Sequence, residues 1–206
     1  MQLRKAVGVC AAAGMLVACG NDQIDLPEEG DNGMAPDNGE QEQADAFAEL
    51  NDEQGSRVGD VSFFEQGENK TRVDVTVDGL PPGYHGFHVH EEAACDAGNN
   101  EGPFQSAGGH FHDEDGQHSG HSGDMPPLYV SEDGSAFLSF TTDRFTPTNL
   151  ADERAVIVHA DPDNFGHIPE RYVAEGEEEG GPDADTEATG DAGDRIACGI
   201  VVSEAP

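Results

Sequence analysis

Basic residues are what this 206-residue chain most conspicuously lacks. Nine lysines and arginines stand against 43 aspartates and glutamates, for a formal net charge of −34. A surface of that sign repels nucleic-acid phosphates and anionic membrane faces, so neither is expected as a partner. The acids are spread along the chain rather than massed on one motif, and they read as solubility and hydration, in keeping with high salt. Helical patterning is also missing. Beyond the amino-terminal fifth, no stretch carries a 3.6-residue apolar period over three turns, which excludes a helical bundle.

Long apolar runs are scarce as well. The run Ala6–Ala18 follows Arg4 and Lys5 and is too short to span a bilayer, which makes it the hydrophobic region of an export signal. It ends Leu16-Val17-Ala18-Cys19, a pattern that resembles the bacterial lipobox, where cleavage precedes a lipid-bearing cysteine. The expectation is a signal peptide at 1–18, a lipid anchor on Cys19 and an exported protein, periplasmic or at the cell surface, tied to a membrane. Residues 19–44 hold few large aliphatics among Gly, Asn, Asp, Glu, Gln and Pro, so they read as a flexible acidic tether. The folded domain is then 45–206. Cysteine is sparse too. With Cys10 in the signal and Cys19 at the anchor, Cys95 and Cys198 remain as one pair in an oxidising setting, which reads as a disulfide. Closing so long a loop stabilises by roughly 4–5 kcal/mol on the chain-entropy model.

What the domain does have is a period of two. Strand patterns run through 46–50, 58–65, 71–77, the histidine-rich 84–90, 135–141, 154–159 and 195–202, with turn signals between them. Val73, Val75 and Val77 alternating with Asp74 and Thr76 are typical of a half-buried strand. Short strands without helices predict an all-β antiparallel sandwich or barrel. Two connections, 91–127 and 161–194, are too long for turns; each follows a histidine-bearing strand, and long loops are usually functional.

Histidine is concentrated. Seven of the nine lie in the 42 residues Gly83–Asp124: His85, His88, His90, His110, His112, His118 and His121, closed by Asp124. His88 and His90, two apart in a strand, face one side with Cα atoms roughly 6–7 Å apart, so both rings can reach one ion. His159 ends the apolar run Ala155-Val156-Ile157-Val158. Imidazole sites with an open position suit copper, zinc or iron, and imidazole alone does not separate them.

Several motifs in chain order carry a resemblance. They are Gly86-Phe87-His88-Val89-His90, Ser106-Ala107-Gly108-Gly109-His110-Phe111, His121-Ser122-Gly123-Asp124, Ala155-Val156-Ile157-Val158-His159 and Gly190 through Gly199 with Arg195 and Cys198. The chain resembles the copper/zinc superoxide dismutases from about Ala46 to Val202, and the segment Asn164 to Tyr172 is similar to their bacterial lipoprotein branch. The resemblance implies a Greek-key, immunoglobulin-like sandwich or barrel. It implies copper on His88, His90, His110 and His159, and zinc on His110, His118, His121 and Asp124. By the same resemblance Arg195 holds the anionic substrate, superoxide, and His110 bridges the metals and handles a proton. Asp163 joins ligands of the two metals, and Cys95 pairs with Cys198. The implied reaction converts superoxide to dioxygen and hydrogen peroxide by copper redox cycling. His85 and His167 are left as structural or surface residues.

Two departures stand out. The family usually has more residues between its last two zinc histidines, whereas His118 and His121 are three apart. Short spacings do occur in tetrahedral zinc sites, so zinc is expected, with a copper-only site as the open alternative and His112 as a competitor for the ion. The loop 161–194 carries twelve acids and one basic residue, Arg171, where relatives often steer superoxide with cations. A rate that rises with salt is expected. The alternative function is a non-catalytic copper-binding or copper-delivery lipoprotein on the same fold, which would lack the open copper position or Arg195. Oligomeric state, monomer or homodimer, is left open.

Overall fold

A computed structural model describes residues 42–112, 116–173 and 179–203. Nine strands dominate it: β1 (Ala46–Asp52), β2 (Arg57–Glu65), β3 (Thr71–Asp78), β4 (Gly83–His85), β5 (Phe87–His90), β6 (Leu128–Val130), β7 (Ser135–Thr142), β8 (Ala155–His159) and β9 (Arg195–Val202). Seven of them form one antiparallel sheet in the order β5-β8-β9-β1-β2-β3-β7, and β4 pairs with β6. The chain runs through β1-β2-β3 as a meander, crosses to β5 at the far end, and returns through β7 beside β3. These crossings give the expected Greek-key character.

Alternation explains the core. On β3, Val73, Val75 and Val77 are buried and lie across from Phe63, Val61 and Gly59 on one side and Phe140, Leu138 and Ala136 on the other. The sheet curls so that these residues share one apolar cluster with Leu50, Phe87, Val89, Leu128, Val156 and Val158. Burying each such side chain stabilises by roughly 1.5–3 kcal/mol, so the inward pattern fixes the register. β8 differs because it is buried on both faces. Val156 and Val158 enter the main cluster, while Ala155 and Ile157 pack with Phe104, Ala107 and Cys198. That strand had to read as a continuous apolar run.

The Cys95–Cys198 disulfide is present, with Cα atoms 5.7 Å apart. Two expectations need correction. The domain is not free of helix, because α1 (Pro147–Leu150) makes about one turn and α2 (Ala184–Thr189) fewer than two. Neither is long enough to show a period, and both are set by their ends: Pro147 opens α1 after Thr146, and Asp183 caps α2 by accepting from Thr186 N at 2.9 Å. β6 is the other addition, three residues long and too short to read. The signal at 1–18, Cys19 and most of the proposed tether lie outside the described residues.

Candidate metal centre

β5 carries the first half of the site. Its four residues are all buried, with Phe87 and Val89 in the core and His88 and His90 on the opposite face. Antiparallel pairing sets Phe87 across from Val158, and hydrogen bonds between Gly86 and the loop after β8 bring His159 alongside. His110 arrives from the long loop through an isolated bridge with His90. One ring nitrogen from each of His88, His90, His110 and His159 falls within 4.8 Å of the others. His88 Nδ1 and His110 Nε2 are buried without a hydrogen-bond partner, and His90 Nε2 faces His159 Nε2 at 3.3 Å. Buried nitrogens that converge on one another and lack partners are costly unless an ion fills the point they share.

The second half is built on loop backbone. Val89 N donates to Gly123 O, Phe111 N donates to Val89 O, and Gly123 N donates to Phe111 O, all at 2.7–2.9 Å. This triangle stitches β5, the His110 segment and the His118–Asp124 segment together. A Cβ at Gly123 would collide with Val89 O, so only glycine permits the approach. The second donor group is His88, His110, His118 and Asp124. His110 Nδ1 lies 2.9 Å from Asp124 Oδ1, and His118 Nδ1 lies 3.1 Å from the same oxygen without the alignment of a hydrogen bond. His121 stands beside this group rather than within it. Its Nε2 contacts Gly116 O at 3.1 Å, which holds the ring back, while its buried, unpartnered Nδ1 is 3.3 Å from Asp124 Oδ2.

A family model described as copper/zinc superoxide dismutase matches residues 57–201. The chain belongs to the copper/zinc superoxide dismutase family. Over 162 residues it is 40% identical to the Cu-Zn superoxide dismutase of Mycolicibacterium paratuberculosis, covering 71% of this chain and 69% of that one. The Mycobacterium tuberculosis enzyme is 42% identical over 160 residues, 72% of this chain and 66% of its own length. Among solved structures, the clock protein EA4 aligns over 79% of this chain and 96% of its own, with TM-score 0.60 and 27% identity. A double mutant of a SOD-like protein from Bacillus subtilis, at 24% identity and TM-score 0.57 over 76% of this chain and 96% of that one, shares the fold. The chain is thus a metal-dependent oxidoreductase of the superoxide dismutase class, with copper and zinc as its metals.

The dismutase family's donor chemistry fits what is present: four imidazoles in one group, and imidazoles with a carboxylate in the other. Asp163 joins them, with Oδ2 2.9 Å from His88 Nε2 and Oδ1 2.8 Å from His118 Nε2. This tie orients one nitrogen on each ring and leaves the other free for a metal. Gly190 packs against both Asp163 and His118 at φ +61, where any Cβ would collide with them.

The electrostatics differ between the groups. Burial and neighbouring imidazoles push His110 down to about 4 and His159 down to about 3, and burial likewise holds His90 well below its ordinary value. Burial also opposes charge on His118, but the hydrogen bond to Asp163 and the close negative charges of Asp124 and Asp163 outweigh it and raise its pKa to about 9. Burial opposes charge on Asp124 and Asp163 as well, yet their histidine partners hold both well below the carboxylate range.

Arg195 sits across from His159 in the β8–β9 register. Its guanidinium donates to Phe104 O at 2.8 Å and Gly108 O at 2.7 Å, and Gly108 O also lies 3.1 Å from His90 Nδ1. Of the other histidines, His112 stays outside both groups, half-exposed with Nε2 3.3 Å from Glu91 Oε1, and His167 is exposed. His85 is structural: it is buried, with Nδ1 2.7 Å from His159 O and Nε2 2.8 Å from Pro81 O. It braces the end of β8 from behind.

Proposed function

We propose that His88, His90, His110 and His159 hold copper, that His110, His118, His121 and Asp124 hold zinc, and that the site dismutes superoxide. The observation that carries this reading is the set of buried, unpartnered nitrogens on His88, His110, His118 and His121, aimed inward from rings that are otherwise braced. Bound copper supplies one-electron redox chemistry, cycling between Cu(II) and Cu(I) as two superoxides and two protons become dioxygen and hydrogen peroxide.

The chain's residues supply the rest. Arg195 is half-buried and pinned by two carbonyls, so its charge is fixed at the place where a small anion would enter. Burial lowers its pKa from a value high enough that the charge persists. His110 presents Nε2 to the four-histidine group and Nδ1 to Asp124. It is the residue placed to hand a proton from Nε2 to the reduced product. His121 completes the zinc group by a small ring movement, since its Nδ1 is already 3.3 Å from Asp124.

The same reading makes this an exported lipoprotein, with a signal at 1–18, an anchor at Cys19 and a tether over 19–44 before the catalytic domain. Its support is the amino-terminal sequence pattern and the disulfide, which suits an oxidising compartment. Metal content and dismutase activity on wild type and His88→Ala test the site. His88→Ala should lose copper and activity together; full activity in that variant would refute the assigned copper site. Lipid incorporation that persists in Cys19→Ser would overturn the anchor.

A further inference from the structure

The segment carrying His118, His121 and Asp124 is short, and besides two backbone bonds it is tied within itself by His121 N donating to Asp124 Oδ2 at 3.0 Å. Gly120 N donates to Gln117 O at 2.6 Å, and Asp124 N to His121 O at 3.2 Å. Three carbonyls of this segment, those of Ser119, His121 and Asp124, converge on a single atom. That atom is Nη1 of Arg144, at 2.9, 3.0 and 3.4 Å. One cation thus gathers both sides of the zinc-type segment, spanning the ligand positions His121 and Asp124 and the residue after His118.

Two further observations separate Arg144 from an ordinary surface arginine. Acids outnumber bases almost five to one in this chain, yet among the described residues no carboxylate forms an ion pair with Arg144. Its base is also fixed. The next residue, Phe145, is buried in the main core edge-on to Phe63, and Phe145 O accepts from Thr71 Oγ1 at 2.8 Å. Arg144 is exposed, so each bond competes with water and contributes modestly. All three nevertheless act on one segment, from a point tied to the barrel rather than to the loop. Without the cation, the three carbonyl oxygens would lose the donor they share.

We infer that Arg144 is a positioning residue for the zinc half of the centre. It holds the shortened ligand segment in the spacing the ion requires, and zinc affinity depends on it while copper affinity does not. This rests on the reading that His110, His118, His121 and Asp124 bind zinc. The test measures zinc affinity of the metal-free protein by chelator competition, together with the visible spectrum of cobalt(II) bound in place of zinc. Wild type, Arg144→Ala, Arg144→Lys and His118→Ala are compared. Arg144→Ala should weaken zinc by roughly 10–100-fold, the range for partners that orient ligands, and alter the cobalt spectrum. It should leave copper affinity at the four-histidine group unchanged. Arg144→Lys, which keeps a cation with N–H donors, should recover part of the loss. Unchanged zinc affinity and spectrum in Arg144→Ala, with zinc lost in His118→Ala, would overturn the inference and spare the zinc site. An equal fall in copper and zinc affinity would also overturn it, by showing a general loss of fold. Zinc binding unchanged in His118→Ala would instead sink the site assignment itself.

Discussion

The two halves of the metal centre are built from different materials. Three of the four histidines proposed for copper sit on β5 and β8, strands buried on both faces and registered by core packing. The donors proposed for zinc ride on loop, and their positions come from cross-links: the Val89–Phe111–Gly123 triangle, Asp163, the bond from His118 N to Glu187 O in α2, and Arg144. Donors on strands inherit their geometry from the hydrophobic core. Donors on a loop must have it imposed by hydrogen bonds, so the loop half should yield first when single contacts are removed.

The largest effect should come from removing the support that belongs to the copper half. The Cys95–Cys198 bridge ties β9 to the loop whose Phe104 and Gly108 carbonyls hold Arg195. Replacing both cysteines by serine should cost about 2–5 kcal/mol of stability, the usual range for a long-loop bridge. Denaturant midpoints check the loss. Activity per bound copper should fall as Arg195 loosens, while zinc affinity stays near wild type. A variant that keeps its stability and loses zinc would reverse the assignment of support to halves.

Asp163→Asn should reach both halves and expose their difference, because among the described residues Asp163 links a strand ring, His88, to a loop ring, His118. An amide offers one acceptor where the carboxylate offered two. Zinc affinity should drop by roughly 10–100-fold and copper affinity measurably but less, since His88 keeps its strand. Titration with each metal separately reads both. A loss confined to copper would contradict the strand-versus-loop argument.

Proton linkage sharpens the comparison in the metal-free protein. On the zinc side, His118 is raised to about 9, so from pH 9 down to its ordinary 6.5 the folded chain holds a proton the unfolded chain lacks, and stability rises as pH falls. On the copper side, His90, His110 and His159 are depressed. Below 6.5 the unfolded chain takes protons these rings refuse, and stability falls as pH falls towards 4. Melting temperature should therefore peak near pH 6.5. A monotonic rise from pH 5 to pH 9 would break the opposition.

The same contrast governs what was legible in the sequence. The strand histidines were readable because a strand writes its geometry as a period. His88 and His90 two apart, and His159 at the end of an apolar run, follow from pleat and burial alone. Most strand limits fell within a residue or two for the same reason. In the loop half, the donor types were legible and their arrangement was not. His121 was expected in the group and stands just outside it, because its ring is turned by Gly116 O, a backbone contact that leaves no mark on residue type. Arg144 was invisible for a similar reason: among the described residues its guanidinium bonds to carbonyls, which every residue has. α1 and α2 escaped because helices this short are set by their ends.

The smallest effect concerns the approach to the copper half, where strand rigidity gives no help. The stretch 161–194 holds twelve acids and only Arg171 as a base, and Arg171 lies over the Tyr172 ring, its guanidinium carbon 4.8 Å from the ring centre. Asp161 packs against Gly193, whose carbonyl is 3.1 Å from His159 Nδ1, so acids begin beside the ligands themselves. With twelve acids against one base in this stretch, an anionic substrate should meet net repulsion outside the short reach of Arg195 and the metal. Screening shortens the reach of that field from about 20 Å near 20 mM salt to below about 5 Å near 500 mM, so long-range repulsion fades while the local attraction survives. The second-order rate with superoxide should therefore rise by a few-fold over that range, opposite to an enzyme with a cationic funnel. Stopped-flow rates at the two salt concentrations decide it. A rate that falls with salt would mean that Arg195 and the metal govern capture at long range, and that the acids of the loop serve hydration alone.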